Sequence, residues 1–450
     1  MEFAPTLGGG AGFVYSSIRL FYDNCPHGGC QRLCAKGLTL AMDFVTSYAT
    51  CILISLLRRT TMATVKLTVH AGPHNRINCP VSALVETPES VTTAALSAGN
   101  GAVPCQVTPA GDGLQVNFIV DHLEAGKTAE YELTLGKEPA DSGRGVEVTQ
   151  GENEVSVSIG GQHFTTYCHG TELARPLLYP VIGPYGDPVT RRLATPADGR
   201  EMDHHHHRSI WIAHGEVNGA DNWSEGESHG RILHRDFELL ESGPVLGRIV
   251  SNSDWVGMDG WTGPPGRNRE ILDQRAEWVV YNTPSSVRIM DLHLTLIARN
   301  MDVLFGDTKE GGLASIRVEE TMEVKRDLGG KIENGIGGID EDETWGKRAP
   351  WCHYSGPVNG NITGVAIMDH PNSFRHPTHW HVRNYGLMTA NPFGHSYFYG
   401  DESRRGHHTL SQGESLVGIY RYYFHKGDAT DGNIRERYHD FAHPPKVEQD

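Results

Sequence analysis

WVVYNTPSSVRIMDLHLTLIA, residues 278–298, sets the fold class: Met290, Leu292, Leu294 and Leu296 alternate with Asp291, His293 and Thr295. Side chains of a strand point to opposite faces with a period of two, so this alternation reads as strand, and the Val, Ile and aromatic content agrees. SLVGIYRYYFHKG, residues 415–427, reads the same way. Working outward, the chain from Met62 runs through VKLTVHAG, CPVSALVE, VPCQVT, LQVNFIV and AEYELTLG, each bounded by Gly, Pro, Asn or Asp. Five short strands in residues 62–137 make a small β-sandwich. The polar GKEPADSGRG, residues 136–145, marks a boundary. Strands resume with VEVTQ, EVSVSIGG and HFTTYC, and residues 145–445 are expected to form a large double-layer β domain. The fold class is all-β. Long helical periodicity is nearly absent, and no repeat of a propeller blade's length is found.

The composition suits a soluble protein with ample core: 450 residues, 38% hydrophobic and 21% charged. The 53 Gly and 24 Pro suit short strands and turns better than long helices. A net charge of −16 without a basic stripe argues against nucleic acid as a partner, and residues 62–450 hold no membrane-spanning run. Cys79, Cys105, Cys168 and Cys352 are scattered like ordinary buried thiols, which points to a reducing, cytoplasmic setting. Residues 1–61 differ, with CPHGGCQRLC at 25–34 and an apolar run at 44–57 closed by Arg58 and Arg59. Three readings stand for them: an extension, with MATVKLTV opening the fold at Met62; a signal or anchor; or a docked segment. The three cysteines, with His27 between them, lack the second paired half of a zinc site.

Histidine is the unusual residue. Of 25, nine fall in 163–234 and eight in 353–408, and two such windows suggest one site built from distant segments. The first chemistry-bearing stretch is RPLLYPVIGPYGDPVTR, residues 175–191, a rigid loop where Arg175 offers a planar guanidinium to a carboxylate or vicinal hydroxyls. The second is EMDHHHHRSIWIAHGEVNGADNW, residues 201–223. If SIWIAHG is a strand, Ile210, Ile212 and His214 share one face and Trp211 and Ala213 the other. His204 to His207, read as extended backbone, put His204 and His206 on one side and His205 and His207 on the other; four is too short for an expression tag. VNGADNW reads as a turn presenting Asn218, Asp221 and Trp223, a combination sugar-binding clefts use.

The third stretch, FGDTKEGGLASIRV at 305–318, ends a strand in a turn with Lys309 and Glu310 exposed and starts another carrying Arg317. It is either a charged hairpin or the source of a catalytic carboxylate, Glu310, with a cation beside it. The fourth, FRHPTHWHVRNYGLMTANPFG at 374–394, alternates His379 and His381 around Trp380, sending both imidazoles to one side with Arg383 following; Asn391 opens the closing NPFG turn.

ARPLLYPVIGP, DHHHHRSIWIAHGEVNG and HWHVRNYGLMTANPFG resemble the bacterial PmoA-like family that carries a "methane oxygenase" label, over roughly residues 150–440. His205 stands where that family commonly has proline, and Leu177 where it has an aromatic. The label implies kinship with a membrane-embedded copper enzyme subunit, which a mean hydropathy of −0.40 and the absence of apolar 20-mers after Met62 oppose. What the resemblance implies instead is a β-supersandwich similar to galactose mutarotase, and a part in carbohydrate catabolism.

The leading reading is therefore a carbohydrate-active enzyme working by acid–base chemistry of epimerase, lyase or hydrolase type on a small sugar or glycoside. His206, His207, His379, His381 and Glu310 are the catalytic candidates. Arg175, Arg208, His214, Asn218, Asp221, Trp223, Lys309, Arg317, Arg383 and Asn391 are the substrate-binding ones, with Trp211 or Trp223 giving a sugar ring an apolar face. No cofactor is firmly implied. One alternative is a divalent metal held by His204, His206, His379 and His381; another is a non-catalytic sugar-binding module. Oligomeric state is not legible.

Overall fold

The alternation read from the sequence becomes, in three dimensions, the sorting of each strand into a core face and an outer face. The computed structural model describes residues 63–87, 91–139, 143, 145–194, 203–258 and 270–449. The expectations placed on residues 1–61, the 25–34 cysteines and the 44–57 run included, lie outside the described residues. All strand pairings given below are antiparallel.

Two sheets open the fold. One runs in the order Lys446–Gln449, Thr64–His70, Thr128–Leu135, Ala94–Ala98, Gly101–Val103, the other Arg76–Glu86, Gly113–Leu123, Cys105–Ala110. Their inward residues, among them Leu67, Val81, Val116, Phe118 and Leu133, share one apolar core. The Ala94–Val103 hairpin escaped the sequence reading because AALSA and GAV are short and poor in β-branched residues. The strand Lys446–Gln449 returns to pair with Thr64–His70, Thr68 opposite Glu448.

Two eight-stranded sheets follow. The front sheet runs Trp380–Arg383, Leu387–Ala390, Gly311–Arg317, Ile210–His214, Leu177–Val181, Gln162–Cys168, Glu154–Ile159, Val146–Gln150. The back sheet runs Arg231–Glu241, Leu246–Val256, Glu270–Tyr281, Val287–Ile297, Ser415–Lys426, Asn361–Asp369, Trp351–Val358, Lys331–Asn334. Between them Met290, Leu292, Leu294 and Leu296 meet Ile210, Ile212, Ile316 and Trp380 in one core. Burying each such side chain contributes roughly 1.5–3 kcal/mol. Among the described residues no helix is long and apolar enough to cross a membrane.

Alternation leaves Trp211 and Ala213 on the outer face of the front sheet, where they join Leu177, Leu387 and Trp223 in a separate apolar patch. Register then aligns one transverse row on that face, Leu177 to Trp211 to Ser315 to Thr389 to His381. With strands about 4.8 Å apart, Trp211 and His381 stand three strands from each other over small, buried Ser315 and Thr389.

The helix Ile434–Ala442 ties the small sandwich to the large one. Arg76, on the small sandwich, donates to Ala71 O (2.8 Å), His439 O (2.9 Å) and Asp440 Oδ1 (3.2 Å), while Arg437 reaches Asp440 Oδ2 (2.7 Å), Ile77 O (2.7 Å) and Asn75 O (2.6 Å). All three side chains are buried. Asp440→Ala strands two buried guanidiniums and is expected to lower stability by about 3–5 kcal/mol, seen as a shifted urea midpoint; Glu130→Gln in the exposed Lys66–Glu130 pair should shift it far less.

Candidate functional site on the outer face of the front sheet

The histidine run is a tight turn rather than extended backbone. His204 has a φ of 47° and His207 N donates to His204 O at 2.9 Å. The cause lies below it. Buried Arg191 donates to the carbonyls of Asp203 (2.9 Å), His204 (2.8 Å) and His207 (3.3 Å) and to Asp203 Oδ1 (2.9 Å), and a buried guanidinium that gathers three carbonyls curls the chain around itself. On the other side buried Arg175 donates to His206 O (3.1 Å), Glu225 Oε1 (3.2 Å) and Trp223 O (2.6 Å). Arg208 clasps Glu225, Nε donating to Oε1 (2.9 Å) and Oε2 (3.0 Å) and Nη2 to Oε2 (2.6 Å).

The turn sends its rings to different depths. His207 is buried, stacked on Trp211 at 5.5 Å and 5.4 Å from Trp223. His206 is half-buried, 4.4 Å from His207. His204 is exposed and stacks on Tyr385 at 4.7 Å. Tyr385 lies between the strands Trp380–Arg383 and Leu387–Ala390, and so bridges the two histidine segments; it also stacks on His207 at 6.2 Å. Arg317, Arg383 and Lys325 surround its ring at 4.9, 5.4 and 5.6 Å.

From the opposite side comes His381, buried, with Trp345 Nε1 donating to its Nδ1 at 2.9 Å. Fully buried Arg317 donates to His207 Nδ1 (3.3 Å) and Glu323 Oε1 (3.0 Å). The charges of the two segments reach each other. His207 is held well below the ordinary imidazole range by burial first, then by His206, Arg317, His204 and His381. Burial, then Arg175 and the neighbouring imidazoles, pushes His206 down to about 4. Burial, then Arg383, Lys309 and His204, pushes His381 down to about 3. At neutral pH these rings are uncharged. Because His207 Nδ1 accepts from Arg317, its hydrogen sits on Nε2, and that Nε2, Trp211 Nε1 and Trp223 Nε1 are buried with no partner.

The remaining candidates take other places. His379 bonds to Tyr399 OH through Nε2 (3.3 Å) and lies 4.7 Å from His395; both it and His381 contact Phe398, at 5.4 and 6.5 Å, as their shared face requires. Burial, then His395 and two arginines, pushes His379 down to about 3. Lys309 and Glu310 form an exposed pair (3.4 Å) at the rim. Asn391 holds that rim, donating to Thr308 O and Lys309 O at 3.0 Å while accepting from Phe393 N and Gly394 N. Asp221 accepts from Trp223 N (2.8 Å) and Ser224 N (3.0 Å) and so shapes the turn carrying Trp223. Asn218, with a φ of 50°, bonds to Asp302 O and Leu304 N. His214 is turned to the core side, against Phe393 (4.8 Å) and Gly306 O (3.0 Å), as its alternation with Trp211 dictates.

Thus His206, His207, Arg317, His381 and Arg383 come together, with Lys309 and Glu310 at the edge. Arg175, Asn218, Asp221 and Asn391 use their polar atoms within the chain. Among the described residues no group of three His, Cys, Asp or Glu is arranged to hold a metal ion; Phe398 contacts both His379 and His381, and Trp345 occupies His381 Nδ1. Sequence reasoning missed Arg191, Glu225, Glu323, Trp345 and Tyr385. The only signal for the two acids was indirect: buried arginines need buried carboxylates.

A pH dependence follows. Folded His206 and His381 take up protons only near 4 and 3, whereas unfolded imidazole does so near 6.5. The unfolded chain therefore binds more protons in that window, and stability falls as pH drops from about 6.5 toward 4, by about 1.4 kcal/mol per pH unit for each such ring. Urea midpoints at pH 7, 6 and 5 should show this decline, and His381→Gln should make it shallower by one ring's share.

A family model described as a family of unknown function, DUF6807, matches residues 154–439. Among curated proteins none matches. Of the solved structures that do, one is an alpha-mannosidase from Enterococcus faecalis V583, at 9% identity and a TM-score of 0.41 over 86% of this chain. This chain spans only 46% of that enzyme's length. A galactose mutarotase-like protein from Clostridium acetobutylicum has 10% identity and a TM-score of 0.29, over 63% of this chain and 99% of its own. The galactose 1-epimerase of Lactobacillus acidophilus NCFM gives the same figures, 10%, 0.29, 63% and 99%. None of these descriptions carries the methane-oxygenase label of the motif resemblance.

Proposed function

The chain belongs to the DUF6807 family of unknown function, and from that premise we propose that the outer face of its front sheet is an acid–base site acting on a sugar or glycoside. The observation that carries this reading is the set of unpartnered buried donors, His207 Nε2, Trp211 Nε1 and Trp223 Nε1, gathered beside Arg317. Such donors call for oxygen acceptors.

The roles follow from charge state. A neutral imidazole among cations is a poor base but a good hydrogen-bond donor to an oxygen that gains negative charge in the transition state. His207 and His381 are assigned that part, with Arg317 and Arg383 supporting the developing charge. Glu310, at the rim and ion-paired with Lys309 at 3.4 Å, is the proton acceptor. The inner carboxylates are committed elsewhere: Glu225 to Arg175 and Arg208, Glu323 to Arg317 and Arg326, Glu341 to Arg383. Hydrolysis by two free carboxylates is therefore less well served than proton transfer of epimerase or lyase type.

The test is turnover of a panel of sugars, oxidised sugars and glycosides in D2O, followed by proton NMR. Expected is deuterium incorporation, anomer conversion or elimination with at least one substrate, with kcat reduced about 10²- to 10⁴-fold in His381→Gln and in Glu310→Gln and undiminished after exhaustive chelation. Activity lost on chelation and restored by a divalent cation would instead establish the metal reading, and binding without turnover the sugar-binding module.

A further inference from the structure

A second feature lies apart from the histidine site. Between the small sandwich and the outer face of the back sheet is a cavity of about 420 Å³, within the roughly 300–1,000 Å³ range of small-molecule pockets and at the kind of junction where they concentrate. The same alternation that sends Met290, Leu292 and Leu294 into the core sends Asp291 and His293 outward to its wall. Asp291 lies directly across from Arg421 and takes two bonds from it, 2.7 and 2.8 Å, plus one from Tyr281 OH at 3.0 Å. The Arg421 guanidinium covers the Phe441 ring at 4.7 Å. On the facing wall Gln115 Nε2 donates to Ser82 Oγ (2.8 Å) and Ser82 Oγ to Asn117 Oδ1 (2.5 Å).

We propose that this cavity binds a neutral polyhydroxylated ligand, a mono- or disaccharide, independently of the histidine site. Its ion pairs are already complete: Arg421 with Asp291, Arg248 with Glu241 (2.5 Å) and Glu277 (3.5 Å), Asp440 with Arg76 and Arg437. A charged ligand would enter without a counter-charge and lose its hydration. A hydroxyl group donates and accepts at once, so it can bridge the amides of Gln115 and Asn117 to the remaining lone pairs of Asp291. Half-buried Pro80, Tyr281 and Ile419 in its lining supply the apolar surface for a sugar's C–H face. A buried ion pair is weak evidence of stabilisation in its own right, and Asp291 with Arg421, both nearly inaccessible yet at the wall of a cavity, is a fixed donor and acceptor pair suited to orienting such a ligand.

The test uses the full chain, with substitutions in the cavity wall distinguishing binding there from binding at the histidine site. Ligand-observed NMR titrations with methyl glucoside, methyl galactoside, maltose and cellobiose, and with glucuronate as the charged control, should show saturable binding of at least one neutral sugar and weaker binding of glucuronate. Asn117→Ala should weaken it about two- to tenfold, the range of one lost hydrogen bond. Ser82→Trp, which fills the cavity from an exposed strand position, should abolish it, with the thermal melt reporting that the fold is kept. Binding indifferent to both substitutions, tighter binding of glucuronate than of every neutral sugar, or no binding at millimolar concentrations would overturn the proposal and leave the histidine site untouched.

Discussion

Buried guanidinium groups are what the candidate site depends on. Arg175, Arg191 and Arg317 are almost wholly removed from water, and each such charge must find acceptors or cost several kcal/mol. Arg191 takes three carbonyls from the 203–207 turn, Arg175 joins that turn to Glu225 and the Trp223 carbonyl, and Arg317 joins it to Glu323. The imidazoles stand where they do because their backbone satisfies arginines. The strands beneath supply only the platform.

That arrangement sets the electrostatics. Rings packed among guanidiniums and away from water do not hold a proton, so His206, His207 and His381 remain neutral across the physiological range. The carboxylates that make the arginines tolerable, Glu225 and Glu323, are held in those ion pairs. Left without partners beside them are the donors His207 Nε2, Trp211 Nε1 and Trp223 Nε1, with the Lys309–Glu310 pair at the rim.

Much of this was legible in the sequence. Period-two alternation identified many of the strands of both sandwiches, though not the Ala94–Val103 hairpin, and it set Ile210 and Ile212 opposite Trp211, as the structure has them. The same rule, carried one residue further, already placed His214 on the core side, away from the residues it was grouped with. Other parts were not legible. The histidine run was read as extended because no local residue signals a turn there; its cause, Arg191, is 13 to 16 residues away in sequence from the carbonyls of His204 and His207. Tyr385 and Trp345 look like ordinary aromatics until one is found stacked on His204 and the other bonded to His381.

By itself, then, the sequence determined which residues face inward and which outward, since side-chain direction along a strand is a local property of the backbone. It determined also that two histidine-rich segments exist. Only the tertiary structure decided that strands carrying Trp211, Ser315, Thr389 and His381 lie side by side, which polar atoms are consumed by the scaffold and which stay free, and which imidazoles lose their protons. Those outcomes depend on non-local pairing and on distance from water, and neither is encoded at any single position of the chain.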